Sequence, residues 1–288
     1  MSKEVQPRTP FVRKRLGERL RDLRDQVPMT SAAIAERLGI KQGTVSKIET
    51  GRQAIRPAYV EVMCQAYGVS EKETRELVQW AKETGIANPL EEYSDVANAD
   101  TLDYAQVEGS CEELWAHGTG QPFGPFQSPD FIRAIRKAAQ PDSTPEDLDR
   151  YVELRQVRFE NLKGKPVHVV IDEAMLHRTV GGSATMKGLC RHLQGIIEMP
   201  LKKIQIVPLN AGAYAAQVAG FRIALRIPPE PKVDLIHIEH EMVALYLNSD
   251  DHLKRYKAMF DQMVNPAHGL ALSPEDSWNL LDRLAKNL

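Results

Sequence analysis

Eight residues, Gln42-Gly-Thr-Val-Ser-Lys-Ile-Glu49, put an amide, two hydroxyls and an ammonium on one side of a short helical stretch and Val45 and Ile48 on the other. These polar groups are the kind that address base edges. Gln can pair bidentately with adenine, and Lys with guanine O6 and N7. Thr30 and Ser31 stand at the start of the preceding helical stretch, where hydroxyls and unpaired backbone N–H groups suit phosphate oxygens. Thr50 and Arg52 flank the far end and offer a further phosphate contact. Two other clusters carry groups used in acid–base or metal chemistry, Asp172-Glu173 with His177-Arg178, and His237-Ile-Glu-His-Glu241. Neither has the spacing of a catalytic device. His-Glu-x-x-His on a helix is absent, and strand alternation places His237 and His240 on opposite faces. No Gly-x-Ser-x-Gly, P-loop or GxGxxG string occurs. The expectation is no catalytic residue, no metal, no cofactor and no enzyme. Asp172 to Arg178 is expected to organise a turn by ion pairing and capping, and His240 to be a surface or packed histidine.

The elements that must carry the first cluster are short helices. Phe11–Asp25 spaces Val12, Leu16, Leu20 and Leu23 helically, with Arg and Lys opposite. Pro28 closes it. Thr30 is an N-cap for Ser31–Leu38, which turns Ile34, Ala35 and Leu38 inward. Gly39 suits a left-handed turn position, and Gly51 ends the Gln42–Glu49 helix. Pro57 opens a fourth helix to Tyr67, and Ser70 caps a fifth that reaches about Thr84. Two short helices joined by a glycine-containing turn make a helix-turn-helix unit, whose second helix enters the major groove. That helix exposes Gln42, Gly43, Thr44, Ser46 and Lys47. Arg13, Lys14 and Arg15 are either a backbone-tracking arm or a solvated helix start.

The string from Thr30 to Gly51 resembles the lambda repressor/Cro-type family, also called XRE-type, with Ala35, Gly39, Val45, Ile48, Glu49 and Gly51 in order. The resemblance covers about 60 residues. It implies binding to double-stranded DNA, with base contacts at Gln42, Gly43 and Lys47. Gly43 has no side chain, so one of those contacts is missing. The resemblance also implies a structural ion pair between Arg24 and Glu49.

Charge is divided along the chain. The 288 residues carry 37 Lys+Arg and 39 Asp+Glu, a net −2. Residues 1–60 hold 13 basic and 6 acidic side chains (+7), and residues 61–288 hold 24 and 33 (−9). Such a split suggests a nucleic-acid-facing head on an acidic body. Residues 88–113 contain eight acidic residues and no Lys or Arg. They read as a solvated helix face that also keeps the second domain off phosphates by repulsion. Three separated cysteines fit reduced thiols rather than disulfides or a zinc site. The polar N-terminus carries no signal-peptide pattern, and no run is long enough for a membrane span, so a cytoplasmic protein is expected.

The remainder reads as α+β. Residues 118–130 are a Pro/Gly loop, followed by a helix capped by Ser128 or Asp130 and another opened by Pro145. Val167–Asp172 is a central strand. A helix after Gly181-Gly182 leads to a second strand, Ile204–Leu209, in one crossover unit. Val218–Ile227 and Leu235–Glu241 into Leu247 follow as an antiparallel meander, and two helices end the chain. The glycine loops at 181–182 and 211–213 border a pocket or partner surface, or are only tight turns. This part resembles the second domain of antitoxin-like transcriptional regulators from actinomycetes. The matching pieces are Gln127–Phe131, Arg155-Gln156, Val170–Gly182, Arg191–Leu193, Ile204–Pro208, Ala211–Ala213 and Ala271–Ser277. The chain departs from that pattern at Pro122–Phe126 and at Tyr214. The resemblance implies a small co-encoded partner protein.

The expected organisation is a flexible N-terminus at 1–10, an all-α helix-turn-helix domain at 11–85, an acidic connecting segment at 86–125 and an α+β domain with a mixed sheet at 126–288. The expected function is sequence-specific transcription regulation as a homodimer, the second domain serving dimerisation and partner or ligand sensing. The alternative is an antitoxin-like protein that chiefly binds its co-encoded partner, with DNA binding serving autoregulation.

Overall fold

The computed structural model describes residues 11–84, 89–228, 232–240, 243–267 and 269–288. The expected flexible segment 1–10 and the Val12 side chain lie outside the described residues. The chain divides into two compact units, each described by itself.

The first unit is built from α1 (Phe11–Asp25), α2 (Ser31–Leu38), α3 (Gln42–Glu49), α4 (Pro57–Tyr67) and α5 (Glu71–Thr84). Residues three and four apart share a helix face, so the apolar spacing of each helix yields one inward stripe. Leu16, Leu20 and Leu23 of α1 meet Ile34, Leu38, Val45, Ile48, Val60, Met63, Leu77 and Trp80 in one core. The ends are local. Thr30 Oγ1 accepts from Ala33 N at 3.1 Å, and Ser70 Oγ accepts from Glu73 N at 3.3 Å. Gly39 and Gly51 adopt φ of +66° and +69°, which L side chains rarely take. Gly17 has a different purpose. A Cβ there would collide with the carbonyl oxygens of Ile48 and Glu49, so its bare backbone lets α1 cross the end of α3.

The division between units falls within α6 (Ala99–Ser110). Then follow β1 (Glu113–Gly118), α7 (Pro129–Ala139), α8 (Pro145–Leu162), β2 (Val167–Asp172), α9 (Ser183–Ile197) and β3 (Lys202–Val207). The chain continues with β4 (Phe221–Ile227), β5 (Val233–His240), β6 (Val243–Leu247), α10 (Asp250–Val264) and α11 (Pro274–Asn287). The six strands form one mixed sheet in the order β3-β2-β1-β4-β5-β6. β1, β2 and β3 run parallel, and β4, β5 and β6 are antiparallel to their neighbours. The α+β class and the antiparallel meander are as expected. Phe260 and Met263 of α10 pack on Phe221, Ile223 and Ile236 of the sheet, while α9 and α11 pack together and against β3.

Three expectations are corrected here, one of them in part. The segment 86–125 supplies β1, which lies between β2 and β4 in the sheet. The acidic run is solvated only in part: Glu91, Glu92, Asp95 and Glu112 are exposed, while its apolar residues pack and one carboxylate is buried. Leu90, Tyr93, Val96, Leu102, Tyr104, Ala105 and Val107 are buried, and Glu108 is 1% exposed. Downstream cations neutralise much of the run. Glu108 meets Arg158 through two 2.9 Å bonds, Glu112 meets Arg226 and Lys232, and Asp95 meets Arg150 at 2.6 Å. These partners lie 50 or more residues away, so the local charge pattern did not contain them. The fourth strand also starts at Phe221, residues Ala215–Val218 being a short 3₁₀ turn.

Among the described residues no helix is long and apolar enough to cross a membrane. Cys64, Cys111 and Cys190 are buried free thiols. Burial pushes them up to about 11, 12 and 11, so they stay protonated.

Candidate nucleic-acid interface

α3 is seated from one side and open on the other. Val45 is fully buried and Ile48 nearly so, whereas Gln42, Gly43, Ser46 and Lys47 are exposed and Thr44 is half-buried. Helical periodicity alone produces this split. Lys41 precedes the helix in an extended conformation with no side-chain cap, so the first backbone N–H groups of α3 remain available to an anion.

The start of α2 lies beside that of α3. Gln42 Nε2 donates to Ser31 Oγ at 3.1 Å, joining the two helices at their N-termini. Ser31 acts there as an acceptor and Thr30 accepts from Ala33 N, so each hydroxyl keeps its proton to donate to a phosphate. Thr50 differs. Its hydroxyl donates to Ser46 O at 2.8 Å, which spends its one proton on the end of α3. Of the proposed phosphate contacts it is therefore the one already committed internally. Arg52 is exposed.

The residues expected to pair do meet. Arg24 Nε and Nη2 donate to Glu49 Oε1 and Oε2 at 2.7 and 3.1 Å, and Nη1 reaches Met29 O at 3.3 Å. The hydrogen bond to Glu49 raises the Arg24 pKa above its ordinary value despite partial burial. Burial, and then the field of Glu49, hold the nearby Tyr67 phenol neutral, its pKa well above the usual range.

Other cations of the head are also occupied. Arg15 is neither arm nor solvated. It is 9% exposed, and its guanidinium lies 4.3 Å from the Trp80 ring centre, with burial lowering its pKa to about 10. Arg19 pairs with Glu73 across α1 and α5. Among the described residues of the first unit, Arg37, Lys41, Lys47, Arg52, Arg56, Lys72 and Lys82 are exposed and make no ion pair; the first four lie on and beside α2 and α3, Arg56 just before α4, and the other two on α5. Sequence reading missed the roles of Arg15 and Gly17. A glycine amid helical leucines was the available signal for the second.

The second unit uses its candidate groups differently. Asp172 Oδ1 caps Ala174 N at 2.9 Å, and Oδ2 accepts from Tyr214 Oη at 2.6 Å. The capping is as expected, but the charge partner Arg178 is replaced by the Tyr214 phenol. Glu173 accepts from Leu209 N at 2.9 Å and faces His177 Nε2 at 3.1 Å. Both carboxylates thus tie the turn after β2 to the loop after β3. His237 is buried, with its Nδ1 3.1 Å from Arg222 Nη1. Burial and then Arg222 push it down to about 3, so it is neutral at pH 7. The His240 side chain and Glu241 lie outside the described residues.

Comparison with known families gives two matches. Residues 15–77 match a family described as Helix-turn-helix domain, which supports a DNA-binding regulator. Residues 101–283 match one described as Domain of unknown function (DUF5753). No curated protein and no solved structure matches the chain.

Proposed function

Because the chain belongs to the family of the Domain of unknown function DUF5753 and carries a helix-turn-helix domain ahead of it, we propose that it is a sequence-specific, XRE-type transcription regulator. α3 is its recognition helix. The observation that carries the reading is the exposed row Gln42, Gly43, Ser46 and Lys47 on a helix whose opposite side is locked into the core. Gln42 and Lys47 address bases, Thr44 and Ser46 assist, and Thr30, Ser31 and Arg52 hold phosphates. Thr50 supports the helix end rather than a phosphate.

One short helix with a glycine at its second position reads few bases. A homodimer on half-sites one helical turn apart would supply the rest. In this reading the second unit is not an enzyme. It dimerises the protein and senses a ligand or partner, and the protein works in the cytoplasm, where its DNA is.

A second reading follows from one feature of the second unit. Leu209 and Val218 are 61% and 93% exposed in a stretch, 208–221, that has no charged residue. Exposed apolar side chains of this kind suit a protein partner. With the resemblance to actinomycete antitoxin-like regulators, they favour a small co-encoded protein as that partner.

Fluorescence anisotropy of the full chain on duplex from upstream of its own gene tests the main reading. Saturable binding is expected, weakening linearly with log salt concentration. Absence of binding even at about 50 mM salt would overturn it. A stable complex with the co-encoded protein, unchanged by Lys47→Ala and Arg52→Ala, would favour the second reading.

A further inference from the structure

The second unit holds an open cavity of about 380 Å³. Pro125, Pro129, Ile132 and Phe159 wall it with apolar surface, and Gln127 and Arg155 are among the residues that line it. Two stretches that stood apart in the sequence, Gln127–Phe131 and Arg155-Gln156, therefore border one space. Pockets of this size with apolar walls and a few convergent polar groups are typical of small-molecule sites.

Arg155 has no carboxylate at ion-pair distance among the described residues; Glu239, which is paired with Arg222 at 2.9 Å, reaches it only through its field. Arg155 Nη2 donates to Tyr151 Oη at 2.7 Å, and the guanidinium carbon lies 5.1 Å from that ring centre. Its Nε is buried with no partner. Arg158, three residues on, shows the contrast, since it has Glu108 bidentately. Burial works against the Arg155 charge, which an incoming anion would relieve. The backbone is shaped around this side chain. A Cβ on Gly124 would overlap the guanidinium.

Gln127 is the second incomplete group. It is 4% exposed, and its Nε2 donates to Pro122 O at 2.8 Å and Gln121 Oε1 at 3.2 Å. Its own Oε1 is buried without a donor. A buried acceptor in this state costs free energy until a donor arrives. Two carboxylates also border the cavity, Glu153 and Glu160, both exposed, the latter paired with Lys163 at 2.8 Å. They disfavour a multiply charged anion such as phosphate.

We propose that this cavity binds a small, largely apolar monocarboxylate with a hydrogen-bond donor beside its carboxylate. The carboxylate pairs with Arg155 and the donor satisfies Gln127. This deepens the ligand-sensing part of the reading above and gives that ligand a chemical class. Binding is measured without DNA, so it fails or succeeds independently of what the head reads.

The experiment is calorimetry and saturation-transfer NMR on the full chain with 3-phenyllactate and salicylate as probes. Phenylethanol and inorganic phosphate serve as comparisons. Saturable binding of at least one hydroxy acid is expected, at least tenfold tighter than the alcohol, with none for phosphate. Arg155→Gln should weaken it at least tenfold. Gln156→Trp, at an exposed position on the same cavity, should block it while leaving the fold unchanged by circular dichroism, which covers the case that the arginine variant unfolds. The proposal is overturned if neither acid binds saturably up to about 10 mM. Equal binding by wild type and the Gln156→Trp variant overturns it as well.

Discussion

Arg24 grips Glu49 through two parallel hydrogen bonds of 2.7 and 3.1 Å, with the two side chains only 14% and 7% exposed. The pair ties the end of α1 to the end of α3, next to where Gly17 lets the same two helices touch. The orientation of α3 is thus set from beneath by a charge pair and a missing side chain.

Breaking that pair from one side leaves a buried charge. Glu49→Ala should destabilise the head by about 3 kcal/mol, seen in urea unfolding followed by the Trp80 fluorescence. The double variant Arg24→Met/Glu49→Leu should recover most of the loss. If Glu49→Ala alone unfolds at the wild-type midpoint, the pair has no structural weight.

Two glycines in the head predict opposite signs. Gly17→Ala forces a methyl into the Ile48 and Glu49 carbonyls and should cost about 1–3 kcal/mol. Gly43→Ala meets nothing within 4 Å and should stabilise α3 by about 0.5 kcal/mol through propensity. Equal effects in thermal unfolding would contradict the close crossing of α1 and α3.

On DNA, Gln42→Ala should relax base preference by about 1–3 kcal/mol. Arg52→Ala should weaken all sequences alike and lower the salt slope by about 1. Thr50→Ala should change affinity less than Thr30→Ala or Ser31→Ala, because its proton is already given to Ser46 O. Anisotropy titrations on matched and scrambled duplexes separate these outcomes.

Acid should weaken the second unit. Burial, with Arg222 beside His237 and Lys203 beside His168, holds these imidazoles at about 3 and 4. The unfolded chain takes up both protons near pH 6.5, while the fold resists them. Their contribution is therefore whole above pH 6.5 and declines as pH falls toward 4. Glu239 also faces His237 and opposes this shift. Asp103, which burial pushes up to about 6 and which belongs to the first unit, works in the opposite sense in the whole chain, so the useful quantity is a difference between variants. The Tm of His237→Gln should fall less than that of wild type between pH 7 and 5. Parallel Tm curves would show that His237 is not the group responsible.

Glu108→Gln should destabilise the second unit by about 3 kcal/mol or more, since it strands the Arg158 guanidinium in a buried site. Glu91→Gln, at an exposed position of the same acidic run, should be near neutral by comparison. Near-zero costs for both variants in chemical unfolding would restore the view of the run as a uniform solvated face.

The sequence by itself determined the helix-turn-helix domain. Its helices are short, their apolar residues recur at three and four, and their ends are marked by Thr30, Gly39 and Gly51, each acting within a few residues of itself. Local physics is enough to place Gln42 and Lys47 outside and Val45 and Ile48 inside. The strand-helix-strand unit and the meander were legible for the same reason. Only the tertiary structure decided the rest. β1 lies in a stretch that reads as an acidic connector, because its partners in β2 and β4 are some 50 and more than 100 residues away. The same separation hid the burial of Glu108 against Arg158. Arg15 belongs to the core because Trp80 arrives from α5 to cover it. Gln127 and Arg155 border one cavity because α7 and α8 pack together. Periodicity assigns a residue to a face. Which charge meets a carboxylate, and which is left beside a cavity without one at ion-pair distance, depends on what distant chain is packed beside it.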